Sequence, residues 1–383
     1  MVTAAPPVAC PLSVRHLGPN WYATVMGTAA VTTAGAALPP HVPGLRGVLA
    51  GVWVFSLVLL LTLLAARSVH WARHRDQARA HLLDPATAPF YGCLAMALLA
   101  VGGGALAVGR DVVGVPAAVA LGAVLFTAGT AVGLAAAVAV PCLMAVRHRV
   151  EPGQATPVWL LPLVAPMVSA AVGPQLVPLL PAGQARRTLL LVCLALFGLS
   201  LLATLLMLPL VTARLLTGGP LPLALAPTLF LVLGPLGQST TAAGAFADVA
   251  PGVVAEPYGR GLGAFAVLYG VPVMGFALLW FCLAGAHVWR ARRQGMRFAM
   301  TWWSFTFPVG TCVTGAEALG RHTGLVAYTG PAVVLYGLLV AAWGTAVVGT
   351  VRGLLRGELL AGPGRAPAGP RRATVRTTSG AVR

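Results

Sequence analysis

The sequence contains no lysine, and only 8 of its 383 residues are acidic. Its 25 basic residues are therefore all arginines, and the formal net charge is +17. Charged residues make up 9% of the chain, against about 25% in a soluble domain. That scarcity excludes an ordinary water-soluble globular protein. Enzyme signatures are missing as well: there is no HExxH, no GxSxG in a strand–turn–helix setting, no phosphate-binding glycine loop and no pair of intramembrane carboxylates. The six cysteines (Cys10, Cys93, Cys142, Cys193, Cys282 and Cys312) form no CxxC pair, and five lie in apolar runs, as small buried thiols do. The histidines fall in loops or at the ends of apolar segments, which argues against clustered metal ligands. Neither a metal nor a cofactor is expected. The N-terminus lacks a signal-peptide pattern.

What is there is apolar residue, 58% of the chain, with mean hydropathy +0.86. The 46 glycines and 31 prolines sit inside apolar segments, as they do in membrane helices. A membrane span needs about 20 apolar residues. Ten such segments are expected, near 21–38, 48–66, 90–108, 115–146, 158–180, 189–210, 221–246, 262–289, 302–319 and 325–351. The chain therefore reads as an all-α polytopic membrane protein. Residues 1–18 form a cytoplasmic N-terminus, 19–354 the ten-helix domain, and 355–383 a basic, disordered cytoplasmic tail. With the N-terminus inside, most arginines fall on the inner side, among them Arg67, Arg73, Arg75, Arg290, Arg293 and Arg352. Arg46, Arg110, Arg186, Arg187, Arg260 and Arg321 fall outside. This satisfies the positive-inside rule and places both termini in the cytoplasm of a multi-pass inner (plasma) membrane protein.

Odd and even spans differ. Span five has Pro162, Pro166 and Pro174; span seven has Pro227, Pro235 and Gly237; span nine has Pro308 and Gly310; span three has Gly102, Gly103 and Gly104. Odd spans also hold most hydroxyls and amides, including Thr24, Thr28, Ser169, Gln175, Gln238, Ser239 and Thr311. Broken backbone and polar atoms at membrane depth are tolerated where protein or a water-filled path covers them. Odd helices facing a central path, with even helices facing lipid, is the simplest account; prolines that merely kink helices against neighbours are the alternative. Gly234, Pro235 and Gly237 are expected either to break span seven and expose amides near Gln238 and Ser239, or to form a packing notch. Glu317, the one carboxylate inside a span, is read as an ion-pair partner of Arg321 four residues on, or as a proton-coupling group.

Three stretches carry a resemblance: PNWYATVMGT (19–28), LFLVLGPLGQS (229–239) and WWSFTFPVGTCVTGAEAL (302–319). Together they resemble the tellurite-resistance/dicarboxylate transporter family, and most of all its sulfite-efflux branch. That family also includes bacterial TehA-type channels, fungal malate transporters and plant guard-cell slow anion channels. The resemblance implies five helical hairpins around a quasi-fivefold axis, one central pore per subunit lined by the odd helices, and a homotrimer. It implies a gating phenylalanine beside the proline of the ninth helix, matched by Phe307, with Phe305 the second candidate. The pore-lining candidates are Thr24, Thr28, Ser169, Gly234, Pro235, Gly237, Gln238, Ser239, Pro308 and Thr311. The expected partners are a small anion, sulfite or a C4-dicarboxylate such as malate, and the lipid bilayer, with no nucleic acid. A broad anion channel and a non-transporting membrane scaffold are the other readings.

Overall fold

The computed structural model describes residues 14–39, 43–148 and 151–360. The first thirteen residues and the arginine-rich tail from 361 onward lie outside them, so the expectation of a disordered tail does too. Among the described residues the chain is all-helical, with no β-strand. In chain order the α-helices are α1 (Tyr22–Ala37), α2 (Leu45–Arg73), α3 (Arg75–Leu83), α4 (Tyr91–Gly104), α5 (Arg110–Val113), α6 (Val115–Val146), α7 (Leu161–Val172), α8 (Gln184–Gly218), α9 (Leu233–Val249), α10 (Tyr258–Arg293), α11 (Phe307–Thr323) and α12 (Thr329–Leu355).

Two kinds of helix alternate. The helices α2, α6, α8, α10 and α12 are continuous over 27 to 36 residues. The helices α1, α4, α7, α9 and α11 are only 12 to 17 residues long. Each of the short ones is prolonged by irregular turns. A 3-10 segment leads into α1 (Pro19–Trp21), α7 (Pro157–Leu160), α9 (Leu223–Val232) and α11 (Met300–Phe305). A π turn, Ala105–Gly109, continues α4. Pro19 and Pro157, which start two of these segments, stand where a missing N–H costs least. Pro141, Pro209 and Pro272 lie inside α6, α8 and α10 without ending them, so proline alone does not separate the two kinds.

Burial follows the same division. The broken segments around α4, α7 and α9 are 78–94% buried over their apolar stretch, the long helices only 17–33%. A backbone whose ladder is interrupted needs covering partners, and the interior supplies them. The broken helices close on themselves: α1 packs on α4, α4 on α7, α7 on α9, α9 on α11, and α11 returns to α1. The long helices lie outside this ring. There α2 rests on α1, α6 on α4 and α7, α8 on α7, α10 on α9 and α11, and α12 on α11 and α1. By length and composition, eight helical segments among the described residues are able to cross a membrane. The remaining two expected spans, 21–38 and 302–319, are α1 and α11, which at 16 and 17 residues are shorter.

Indole hydrogen bonds tie outer helices to inner ones. Trp53 of α2 donates to the Val101 carbonyl at 3.1 Å, Trp280 of α10 to the Leu229 carbonyl at 2.9 Å, and Trp343 of α12 to the Thr28 hydroxyl at 3.1 Å. The Gly102–Gly104 run makes room on three sides at once. A Cβ on Gly102 would meet Leu125 of α6, one on Gly103 would meet Val172 of α7, and one on Gly104 would lie 2.7 Å from the Trp53 ring.

Candidate functional site: the central cavity

The ring of broken helices encloses a cavity of about 280 Å³, and all five contribute to its wall. Each does so at helical spacing, as Ala30 and Thr33 on α1, Val168 and Val172 on α7, and Gln238, Thr241, Ala245 and Asp248 on α9 show. On α11 the stripe is Phe307, Gly310, Thr311, Thr314 and Arg321. Steps of three, four and seven residues keep one helix face turned to the cavity. The wall is mostly small residues, which is why there is space at all.

Phe307 is 5% exposed and is the one aromatic side chain among the described lining residues. It is the first residue of α11, directly after Thr306, whose hydroxyl donates to the Trp303 carbonyl at 2.7 Å. At the far end of the same stripe Arg321 is half-exposed, its side chain 51% accessible. Phe307 and Arg321 thus stand at opposite ends of the α11 stripe, the ring buried and the guanidinium half-exposed.

Phe305, the second gate candidate, stands elsewhere. Its ring packs edge-on against Phe230 with centroids 5.0 Å apart, and against Trp302 at 6.0 Å. Phe305 ends the 3-10 segment and Phe307 opens α11, with Thr306 between them at the junction, and Phe305 is not among the residues that line the cavity.

Of the expected lining residues, Gln238 and Thr311 face the cavity. The others lie away from it, for identifiable reasons. Thr24 and Thr28 donate to the carbonyls of Trp21 and Thr24, and Thr28 also accepts from Trp343 of α12. Ser169 accepts from Thr130 of α6 at 2.9 Å. Pro235 and Ser239 line a separate apolar pocket shared with α8 and α10. Gly234 and Pro308 sit in the first turns of α9 and α11. The expected break at Gly234–Gly237 is displaced: the irregular backbone ends at Val232, and α9 runs unbroken through these residues. A proline in the first helical turn gives up an N–H that has no intrahelical partner, so Pro235 does not break α9. Gly237 is a packing notch, since a Cβ there would lie 2.5 Å from the Cys312 nitrogen and the Thr311 carbonyl carbon.

The lining hydroxyls are largely committed. Thr311 donates to the Pro308 carbonyl at 2.7 Å and Thr314 to the Thr311 carbonyl at 3.0 Å, while Thr241 and Thr314 share a bond of 2.7 Å. The side-chain amides of Gln175 and Gln238, which also line the cavity, supply N–H donors.

The expected Glu317–Arg321 ion pair is not formed. Arg321 donates instead to Asp248 of α9 at 3.1 Å. Glu317 is 4% exposed, and its Oε1 has no hydrogen-bond partner among the described residues. At the mouth Arg321 reaches a carboxylate on the neighbouring helix without leaving water; turning back to Glu317 would bury its charge. Thr33, Thr241, Thr314 and Asp248 line the cavity without having been expected. For Thr241 and Thr314 the signal was present as the i+3 spacing from Gln238 and the i+7 spacing from Phe307, and Asp248 follows Thr241 by seven; Thr33, on α1, had no expected cavity-facing residue to be spaced from.

Comparison with known proteins places this arrangement. Residues 16–351 match the voltage-dependent anion channel family. The chain belongs to that family. The match takes in every helix of the ring and agrees with the resemblance drawn from the sequence. As a member of the voltage-dependent anion channel family, the chain is a multi-pass membrane protein of a transporter and channel family. It is 25% identical to an uncharacterized transporter of Methanocaldococcus jannaschii over 353 residues, covering 91% of this chain and 96% of the relative. A second uncharacterized transporter of that organism is 24% identical over 350 residues, covering 90% of this chain and 97% of the relative. A sulfite efflux pump of Trichophyton rubrum is 26% identical over 323 residues, covering 81% of this chain and 84% of the pump.

Proposed function

We propose that the chain exports a small inorganic anion, sulfite first among them, through the central cavity, and that Phe307 is the gate. The observation that carries the reading is that five broken, small-residue helices surround one cavity whose described lining holds a single aromatic ring. A ring across a narrow path blocks it by volume and dewetting, and a change of rotamer opens it. The ten expected spans are then the five broken helices and the five long ones, α1 and α11 included, set as five hairpins about a quasi-fivefold axis. In this reading the protein is a homotrimer in the plasma membrane with both termini cytoplasmic. It has no catalytic role, and the anion is its only small-molecule partner.

A broad anion channel is the second reading. It is favoured by the lining, where Arg321 at the mouth is the one cation among the described residues. A path with so little fixed positive charge discriminates mainly by dehydration. A C4-dicarboxylate substrate remains the third.

The test is flux in proteoliposomes of the purified full chain with sulfite, malate, nitrate and chloride, with and without a pH gradient. Sulfite-selective flux, raised in Phe307→Ala and unchanged in Phe305→Ala, is the expected result. Equal flux of all four anions replaces the exporter with a broad channel. Absence of flux in both the natural chain and Phe307→Ala overturns the transport reading in favour of a scaffold.

A further inference from the structure

The open end of the cavity holds a charge arrangement that gating by Phe307 leaves unused. Asp248 Oδ2 accepts from Arg321 Nη2 at 3.1 Å. Asp248 Oδ1 lies 3.1 Å from His322 Nε2, which is also 3.1 Å from the Gly244 carbonyl. Both neighbours of that nitrogen are acceptors, so it carries the hydrogen. The carboxylate on α9 is therefore held through both oxygens by two consecutive residues of α11. Arg321 and Asp248 are the one cation and the one carboxylate among the described residues that line the cavity. Their side chains are 51% and 42% exposed, which puts the pair at the mouth rather than in the interior.

An unaccompanied guanidinium at such a mouth binds an oxyanion through its two-pronged donor edge, and low-dielectric walls strengthen the attraction. That favours entry and opposes release. A conduction path needs binding favourable enough to enter and weak enough to leave. Asp248 already occupies one Nη of Arg321 and offsets its charge. An anion arriving there meets a steered but partly satisfied donor.

We propose that Asp248 sets the anion affinity of the cavity mouth, by fixing Arg321 across from α11 to α9 and partly neutralising it. Asp248 is a positioning residue: it acts on the anion through Arg321. The proposal rests on the transport reading and adds to it the place where affinity is decided.

The experiment is the concentration dependence of sulfite flux in proteoliposomes for the natural chain, Asp248→Asn, Asp248→Glu, Arg321→Gln and the Asp248→Asn/Arg321→Gln double variant. Asp248→Asn is expected to lower the half-saturating concentration about three- to ten-fold and to lower the maximal rate with it, the size of a half-exposed charge effect. Asp248→Glu restores natural values. Arg321→Gln raises the half-saturating concentration, and the double variant behaves as Arg321→Gln does, because the role assigned to Asp248 runs through Arg321; a double variant that binds more tightly than Arg321→Gln means direct repulsion by the carboxylate and overturns the positioning role. A merely structural tie between α9 and α11 predicts lost thermal stability with an unchanged half-saturating concentration, and that outcome overturns the proposal. If Asp248→Asn is not recovered from the membrane, Arg321→Gln alone decides, and a natural half-saturating concentration in it overturns the proposal. No flux in the natural chain under any condition overturns the transport reading itself. Flux with saturation indifferent to both residues overturns only the role of Asp248.

Discussion

Phe307 and Arg321 stand on one face of α11, fourteen residues and so ~21 Å apart along the helix. The ring is buried and the guanidinium is half-exposed. A single helix thus carries both the one aromatic ring and the one cation among the described lining residues, and its α-helical run begins at that ring.

The two phenylalanines near the start of that helix make opposite predictions. Phe307→Ala removes the only aromatic side chain among the described lining residues and is expected to raise anion leak, at a stability cost of about 3–5 kcal/mol because the ring is buried in the core. Phe305→Ala removes a ring packed edge-on against Phe230. It is expected to cost about 1–3 kcal/mol and leave leak unchanged. Thermal unfolding in detergent beside liposome leak separates the two.

Gly237 and Gly234 form a second contrasting pair on α9. Gly237→Ala would put a Cβ 2.5 Å from the Cys312 nitrogen, so α9 and α11 have to part. A loss of about 1–3 kcal/mol is expected, the usual cost of overpacking. Gly234→Ala meets no atom within 4 Å and is expected to be neutral or slightly stabilising. Melting temperatures of the two variants check this directly.

Glu317→Gln tests the absent ion pair. Arg321 is engaged by Asp248, and Glu317 Oε1 has no partner, so the amide is expected to preserve expression and thermal stability. A variant that no longer accumulates in the membrane would show that the carboxylate is bonded after all.

The segment before α1 is clasped by α2 and α3. His70 Nδ1 lies 2.9 Å from the Val14 carbonyl, Arg67 donates to the Leu17 carbonyl, and Arg15 pairs with Asp76 at 2.9 Å. The His81 ring stacks on His70 with centroids 5.4 Å apart. Burial, with Arg67 and His70 beside it, holds the His81 imidazole below its ordinary value. The unfolded chain therefore takes up a proton before the folded one. The stability His81 contributes is present above about pH 6.5, the unfolded value, and is lost as pH falls through the lower folded value. Amide protection factors over residues 14–18, corrected for the intrinsic slowing of exchange in acid, are expected to fall on acidification through that window, and His81→Phe to flatten the response.

The sequence alone determined that the chain is helical and membrane-borne, because run length and hydropathy are properties of each segment by itself. It also marked the segments that stay within the protein, since prolines, glycines and hydroxyls at membrane depth need covering partners. The family was legible in three short stretches for the same reason. Which face of each segment meets the cavity was not legible. Phe305 and Phe307 are equally aromatic and both lie within three residues of Pro308, and only the packing of Phe305 against Phe230 and Trp302 leaves Phe307 to line the cavity. Thr28 and Ser169 looked like lining hydroxyls, yet Trp343 and Thr130 on outer helices claim them. Arg321 had Glu317 within reach on its own helix, and the tertiary structure gave it Asp248, 73 residues away. A helix periodicity fixes which residues share a face, but the direction of that face is set only when neighbouring helices compete to cover it.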